Sequence, residues 1–383
     1  METRSVYRGL LEALKEIYSS GGSGYDKTEF YTLFKQFDTR TMFSTLWKGD
    51  HSQKKRHIAN QYANTNILRP QVIKGIQELA DAFVNKCVES QEKSMDAYVY
   101  LHCYALDCAS HHLFNPYGLH SINKPEDRKI MEELSYHDSL KGFPLDHLLQ
   151  YYLPTLTTLL SKIVKPRHSP LSNNYVINTC EKPDPGEHTL LYALQNSKDQ
   201  FNPIQIAAEC SDHFVAGIDT TGDALCFLMY QLSLPESSPI QEKLFHELNE
   251  NKDKNWDELQ YLDAIVKEGL RCFPPIPMSQ PRYVPPGGRT INRYFLPAGT
   301  IVSCQAWSVH RLNEDVYVDG DTFSLERWLD STRILEMNRL FFSFGAGGRG
   351  CTGRHRNEMS SQKSIFAFSD QNIFGYERAD GPL

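Results

Sequence analysis

Residues 344–353 read FGAGGRGCTG, and the rest of the chain is interpreted outward from this stretch. Half of its residues are glycines, which implies a backbone that turns tightly or closely approaches another group. A cysteine thiolate in such a loop can ligate haem iron, and Arg349, just before Cys351, can pair with a haem propionate. A lone cysteine is more often a buried, inert thiol, so this interpretation needs support from other motifs.

The same glycines also form the dinucleotide-binding pattern Gly345-x-Gly347-x-x-Gly350, with Asp370 about 20 residues further on. That pattern belongs to the first βαβ unit of a parallel sheet, whereas the residues before this loop are patterned mostly as helix. A dinucleotide-binding oxidoreductase is therefore an alternative that its sequence context does not favour.

The composition is that of an ordinary globular protein, with 40% hydrophobic and 23% charged residues. The net charge of −7 argues against nucleic-acid binding. The 9 cysteines include no C-x-x-C pair, which excludes a zinc ribbon or thioredoxin-like motif. An odd number without a signal peptide indicates reduced thiols on a cytosol-facing protein. No stretch reaches the roughly 18 apolar residues that a membrane-spanning helix needs.

The spacing of apolar residues predicts a mainly helical body over residues 1–270. It indicates helices at residues 10–17, 70–88, 97–114, 144–164, 205–234, 239–248 and 257–273. Residues 169–188 contain Asn, Pro and Gly and are predicted to be a loop. After Pro274, the short runs 289–295 and 299–305 are typical of small strands. The predicted fold class is mainly α with a small β portion toward the C-terminus.

A second motif lies inside the apolar segment 205–234, where residues 216–221 read AGIDTT. A mid-helix glycine costs about 1 kcal/mol relative to alanine, and the missing side chain of Gly217 leaves room for a flat group or a small molecule. Asp219 and Thr220 bring an acid and a hydroxyl to the same place, where they can deliver protons to bound oxygen. The alternative is a helix bent by Thr220 bonding to the carbonyl four residues earlier.

A third motif places Glu268 and Arg271 three residues apart on one face of a predicted helix, where they can form an ion pair. Most such pairs are exposed and contribute little, but the neighbours of this one are apolar and favour a buried pair. A buried pair needs further hydrogen bonds. Arg327, within FSLERW at residues 323–328, is the candidate third member.

The order and spacing of these motifs closely resemble the cytochrome P-450 family. The sequence between the motifs also resembles the family, at residues 274–275 (PP), 282 (R), 296–300 (LPAGT) and 310–311 (HR). Residues 18–20, 30–31 and 51–52 are similar to fungal microsomal members. The resemblance implies a cytochrome P-450-like helical body with the small β portion near the C-terminal third.

Carried over by position, the resemblance implies that Cys351 is the thiolate ligand of haem b (iron protoporphyrin IX). It implies that Arg349 and Arg282 meet the haem propionates, with Lys55 or Arg56 contributing from an early helix. The family often has Trp-x-x-x-Arg in that helix, where this chain has histidine and lysine at 51 and 55.

The resemblance also implies roles on the opposite side of the cofactor. Ala216 and Gly217 would border the oxygen and substrate pocket, and Asp219 and Thr220 would handle proton delivery. Phe344 would pack near the sulfur. A structural triad beneath the cysteine loop is expected from Glu268, Arg271 and Arg327.

The implied activity is a monooxygenase that uses O₂ and two electrons to insert one oxygen atom into a small lipophilic substrate, in fungal secondary metabolism. The electrons would come from an NADPH-cytochrome reductase, because no flavin or nicotinamide site is evident in the chain. The resemblance implies a monomer at the cytosolic face of the endoplasmic reticulum membrane, with no nucleic-acid partner.

The resemblance covers about residues 8–353 and fails in three places. From the sequence we expect the family's membrane anchor, first helix and first sheet, and the strands that follow the cysteine loop, to be missing from residues 1–383. Leu325 stands where the family has proline, and residues 354–361 (RHRNEMSS) are polar where the family has an apolar helix. We therefore expect residues 1–383 to form a single, incomplete domain. A non-catalytic truncated relic that binds no haem is the second alternative.

Overall fold

The computed structural model describes residues 2–18, 24–90, 94–135, 169–198, 201–251, 254, 258–276 and 278–370. Its helices are α1 (Glu2–Tyr18), α2 (Lys48–Ile58), α3 (Asn64–Ile67), α4 (Pro70–Glu89), α5 (Ala97–Phe114), α6 (Pro125–Leu134), α7 (Pro170–Cys180), α8 (Leu190–Gln195), α9 (Pro203–Ser233), α10 (Ser238–Glu250), α11 (Gln260–Cys272), α12 (Ala306–Val309), α13 (Glu326–Leu329), α14 (Ile334–Leu340) and α15 (Arg354–Asp370). The predicted fold class, mainly α, is confirmed. The helix predicted at residues 144–164 lies outside the described residues.

The prediction of a loop over residues 169–188 is wrong in its first half, which forms α7. Pro170 stands in the first turn of this helix, where a missing N–H breaks no helical hydrogen bond, so the proline begins the helix instead of interrupting it. Ser172, Val176 and Thr179 follow at helical spacing and are buried, and the helix packs against α9.

Four long helices, α4, α5, α9 and α15, form the centre of the molecule. The most extensive contact runs between α5 and α9, and α15 contacts α4 and α9. Helix α5 is buried almost all round from Leu101 to Phe114, as expected for a helix enclosed by others. Helix α9 begins at a capping box in which Asn202 and Gln205 satisfy each other's backbone N–H groups.

The β portion consists of two antiparallel two-stranded sheets among the described residues. Strand β1 (Arg282–Tyr283) pairs with β4 (Ile301–Val302), and β2 (Arg289–Ile291) pairs with β3 (Tyr294–Leu296). The predicted small strands near the C-terminal third are confirmed. Lys27 forms a bridge with Arg282, and this pairing brings the start of the chain to the first sheet.

Within the described ranges, every helix is too short or too polar to cross a bilayer.

Candidate functional site

The glycine-rich loop lies between α14 and α15 and holds Cys351 at its end. Gly345 and Gly347 have φ angles of +65° and +67°, a region that side chains disfavour, so the turn requires glycine at both positions. The backbone N–H of Cys351 donates to the carbonyl of Phe344 at 2.8 Å. All cysteines lie in the described ranges, and Cys351 is the exposed one.

Two cations approach Cys351. Surrounding protein atoms raise the pKa of its thiol, although the residue as a whole is exposed, and the charges of Lys55 and Arg356 act in the opposite direction. Lys55 reaches the loop directly, because its Nζ donates to the carbonyl of Gly348 at 2.9 Å. Arg56, the next residue on α2, is exposed.

Arg349 points from the same loop toward the start of the chain. Its guanidinium donates to the carbonyl of Leu46 at 2.7 Å and to a carboxylate oxygen of Asp26 at 2.8 Å. Phe344 is half-buried, and its ring lies beneath the guanidinium of Arg354 at 5.5 Å.

Arg282 is buried beside this loop. It donates to the hydroxyl of Tyr31 at 2.6 Å and lies over the rings of Tyr18 and Tyr31 at 5.3 and 5.2 Å. A small pocket opens between these groups, lined by Ile17, Tyr18, Gly24, Tyr25, Lys48, His51, Ser52, Arg282, Ala346, Gly348 and Arg349.

Lys27 adds a third buried cation that the sequence analysis missed. Its Nζ lies 4.5 Å from the ring centres of Tyr31 and Phe43 and donates to the carbonyl of Phe43. Burial, and then the charges of Arg282 and Arg349, lower its pKa well below the ordinary value. With the residues that the structure describes, neither Lys27 nor Arg282 forms a salt bridge, so Asp26 alone offsets this cluster by direct pairing.

The AGIDTT motif occupies the middle of α9. Ala216 is exposed, Asp219 and Thr220 are half-buried, and the hydroxyl of Thr220 donates to the carbonyl of Ala216 at 2.6 Å. The hydroxyl is therefore engaged with the carbonyl four residues earlier, as in the alternative noted above.

Gly217 faces the interior of the helical bundle. A Cβ there would lie 2.9 Å from Cβ of Ala109 on α5 and 3.1 Å from Nη1 of Arg356 on α15. The close approach that this glycine permits is thus between helices.

Tyr62 connects α9 with the cysteine loop. A Cβ at Gly353 would lie 3.9 Å from both the sulfur of Cys351 and the ring of Tyr62. The hydroxyl of Tyr62 is 2.8 Å from Nδ1 of His213, less than one helical turn before Ala216. Tyr62 thus lies between the cysteine loop and the part of α9 just before the motif.

Glu268 lies at the centre of a buried network on α11. Its carboxylate accepts two hydrogen bonds from Arg271 at 2.8 and 2.9 Å, one from Arg327 at 3.1 Å and one from the backbone of Ser324 at 2.8 Å. The indole of Trp328 donates a further bond at 2.8 Å. The structure thus brings together all three members of the predicted triad, and it adds a tryptophan that the ERW segment contained but the analysis did not use.

Arg271 directs the rest of its guanidinium to backbone carbonyls. It donates to His310 at 3.2 Å, Gly320 at 2.6 Å and Thr322 at 2.9 Å. His310 returns the contact through Nδ1, which is 3.0 Å from the carbonyl of Arg271, while its Nε2 accepts the backbone N–H of Phe342 at 2.8 Å. The network therefore ties α11 to the chain that enters the cysteine loop.

Helix α15 carries polar residues into the core. Those that are buried are Arg356, Asn357, Ser360, Ser361, Gln362 and Ser364, beside the apolar Met359 and Ile365. Nε and Nη2 of Arg356, Oδ1 of Asn357 and Oγ of Ser360 have no hydrogen-bond partner among the described residues. His112 on α5 is buried, neither of its ring nitrogens has a partner within the described ranges, and burial followed by the charge of Arg356 lowers its pKa well below the ordinary value.

Comparison with known proteins is consistent with this geometry. The family model of cytochrome P450 matches residues 1–363. A cytochrome P450 monooxygenase of Aspergillus terreus is 41% identical over 166 residues, which are 40% of this chain and 33% of that protein. The cytochrome P450 monooxygenase orf2 of Aspergillus niger is 27% identical over 90% of this chain and 71% of its own length. The monooxygenase hkm5 of Aspergillus hancockii is 24% identical over 94% of this chain and 73% of its own length.

Proposed function

Because this chain belongs to the cytochrome P450 family, we propose that it is a haem-thiolate monooxygenase acting on a small lipophilic substrate in fungal secondary metabolism. The observation that carries the proposal is the exposed thiol of Cys351, in a loop that also sends Arg349 into a cluster of buried cations. The names of the relatives support the reaction class, and the substrate lies beyond what they indicate.

The cations beside the cysteine loop suit the propionates of a haem, and we propose haem b as the cofactor. Its two propionates bring two negative charges, and the cluster of Lys27, Arg282 and Arg349 has an excess of positive charge over Asp26. Arg349 and Arg282 would hold the propionates, with Lys55 supporting the loop from α2, and Cys351 would ligate the iron. When bound, the haem activates O₂, so that two electrons and two protons convert O₂ and the substrate into hydroxylated product and water.

The motif on α9 would manage the protons. The hydroxyl of Thr220 donates to the carbonyl of Ala216 and keeps its lone pairs free to accept a hydrogen bond from water. To pass a proton onward it must turn away from that carbonyl, and Asp219, the adjacent half-buried acid, would replace the proton. The electrons would arrive from an NADPH-cytochrome reductase.

Replacing the sulfur tests the proposal directly. Full-length protein supplied with haem, reduced and exposed to carbon monoxide, should show the absorption of thiolate-ligated haem. Cys351→Ala should abolish that absorption, because a methyl group cannot donate to iron. Cys226→Ala, which removes a half-buried thiol from α9, should leave it unchanged. Thiolate absorption that survives in Cys351→Ala would contradict the assignment.

A relic that binds no haem is the second candidate, and the interior of α15 favours it. Several buried polar atoms of this helix have no hydrogen-bond partner in the described part of the chain. They lie beside α9, which carries the AGIDTT motif, and such atoms destabilise a core. Haem content separates the two candidates, because an equimolar complex supports the enzyme and none supports the relic. The dinucleotide-binding alternative gains no support, since both described sheets are antiparallel.

A further inference from the structure

Three ligand-type side chains meet on α9 less than two turns before the AGIDTT motif. Glu209, Asp212 and His213 share one face of the helix, and one ligand atom from each lies within 4.8 Å of the other two. All three side chains are almost completely enclosed, the side chain of His213 being 9% exposed. Neither the haem site nor the triad on α11 uses any of them.

The imidazole of His213 is oriented as in a metal-ligating histidine. Its Nδ1 is 2.8 Å from the hydroxyl oxygen of Tyr62, and the two rings stack at 5.2 Å. When Nδ1–H donates to that oxygen, Nε2 carries a lone pair. A hydrogen bond from the second ring nitrogen to an oxygen is the usual way in which proteins fix a metal-binding tautomer.

Nε2 of His213 points at a carboxylate without a proper hydrogen bond. It is buried, has no hydrogen-bond partner among the described residues, and lies 3.6 Å from Oε1 of Glu209. A lone pair facing a carboxylate oxygen at this distance is unfavourable unless a cation lies between them. Ligand atoms around a tetrahedral ion stand roughly 3.4 Å apart, close to the separation already present.

The carboxylates keep capacity for an ion. Both oxygens of Glu209 accept the backbone N–H of Met42, at 2.9 and 3.1 Å, which fixes the group and leaves further lone pairs. Lys54 opposes a cation, since its Nζ is 4.0 Å from Glu209, but that side chain is 25% exposed and also donates to the carbonyl of Arg40. Two carboxylates therefore face the partly solvated Lys54, and the charge of the buried Lys27 also acts on Asp212.

We propose that Glu209, Asp212 and His213 bind one divalent transition-metal ion, with Zn²⁺ the best match. One imidazole nitrogen with two carboxylate oxygens suits Zn²⁺, whereas Mg²⁺ and Ca²⁺ take oxygen ligands alone. The ion would join α9 to the segment around Met42 and to Tyr62. This site is structural, and it does not depend on the proposed monooxygenase activity.

The test measures metal binding by the full chain without an affinity tag. Metal is first removed by chelation and dialysis, and Zn²⁺ is then added at pH 7.5. We expect one equivalent of Zn²⁺ by metal analysis. Co²⁺ in its place should give visible bands of a nitrogen and oxygen site without the near-ultraviolet charge transfer of a thiolate, which separates this site from the cysteines. Asp212→Asn and His213→Gln should weaken binding by more than about 100-fold.

Two further variants keep the result interpretable. Tyr62→Phe retains the ring but removes the oxygen, and should weaken binding by about 10–100-fold even if the ligand variants fail to fold. His246→Gln removes an exposed histidine on α10 and should change nothing. No stoichiometric Zn²⁺ in the unmodified chain would overturn the proposal. Equal binding by the unmodified chain and His213→Gln, or thiolate bands with Co²⁺, would overturn it as well.

Discussion

The network around Glu268 and the cluster around Arg356 are both ionisable and both buried, but they differ in how their polar atoms are satisfied. Glu268 and Arg271 form two hydrogen bonds with each other, and Arg271 donates its further N–H groups to backbone carbonyls. In the part of the chain that the structure describes, two nitrogens of Arg356 have no hydrogen-bond partner, nor has either ring nitrogen of the nearby His112.

The difference shows which conditions allow a charged group to be buried in a protein core. Removing an ion from water costs several kcal/mol, and only near-ideal geometry with further hydrogen bonds offsets that cost. Around Glu268, the irregular chain before α13 supplies the backbone N–H of Ser324, and Trp328 on α13 supplies an indole. Around Arg356 the neighbours are regular helices, whose backbone groups already bond within the helix. A charge survives burial more easily beside irregular chain than between helices.

The largest change in the free energy of unfolding is expected from breaking the hydrogen-bonded network around Glu268. Glu268→Ala leaves Arg271 and Arg327 buried without a counter-charge, which should lower the free energy of unfolding by about 3–5 kcal/mol. Urea denaturation followed by circular dichroism measures this change. Glu336→Ala, an exposed acid on α14, should stay within about 0.5 kcal/mol. Equal stability of the two variants would mean that the network contributes nothing.

A rise in the free energy of unfolding is expected when the poorly hydrogen-bonded charge of Arg356 is removed. Arg356→Met keeps much of the side-chain volume and removes the unpaired guanidinium, so it should raise the free energy of unfolding by about 1–3 kcal/mol. The matched control is Arg354→Met on the same helix, where an exposed pair with Glu358 contributes at most about 1 kcal/mol. A destabilised Arg356→Met would show that this arginine is well solvated or paired, and the comparison would fail.

The smallest effect concerns pH and a histidine of the satisfied network. Burial lowers the pKa of His310 to about 3, below its unfolded value of about 6.5. The neutral ring is thus favoured in the folded state, so its contribution is complete above pH 6.5 and is lost as pH falls toward 3. Lowering the pH from 7.5 to 5.5 should therefore reduce the contribution of His310 to the free energy of unfolding by about 1.4 kcal/mol.

Urea titrations at the two pH values measure this loss, and His310→Gln supplies the comparison. Other buried histidines titrate in the same window, so the informative quantity is the difference between the two proteins. The pH-dependent loss should be smaller in His310→Gln by about 1.4 kcal/mol. An identical pH dependence would mean that His310 is protonated in the fold or reached by water.

The sequence predicted helices well where burial leaves a strong pattern. Residues 97–114 were predicted as a helix, and α5 has these bounds. Helix α7 was missed because the Asn, Pro and Gly content of residues 169–188 was interpreted as a loop, although the first turn of a helix tolerates proline. The pairing of Glu268 with Arg271 followed from local spacing, since both lie on one helix.

Contacts between distant segments could not be predicted in this way. Lys27 has no distinguishing motif, and its role arises only when β1 and the loop of Arg349 fold against it. The orientation of Gly217 toward α5 and α15 likewise depends on how three helices pack. The roles of Thr220 and Asp219 in proton delivery stay predictions.

The cluster of Lys27, Arg282 and Arg349 is assembled from segments that lie far apart along the chain. Asp26 pairs with Arg349, 323 positions later, and the hydroxyl of Tyr18 bonds to the backbone of Gln280 and Cys304. A ribosome adding about 5–20 residues per second needs roughly 16–65 s to pass from one member of the first pair to the other. During that interval the early tyrosines and Lys27 have no late partners. Nascent chains should therefore occupy chaperones until the glycine-rich loop emerges, and pausing within that interval should increase degradation.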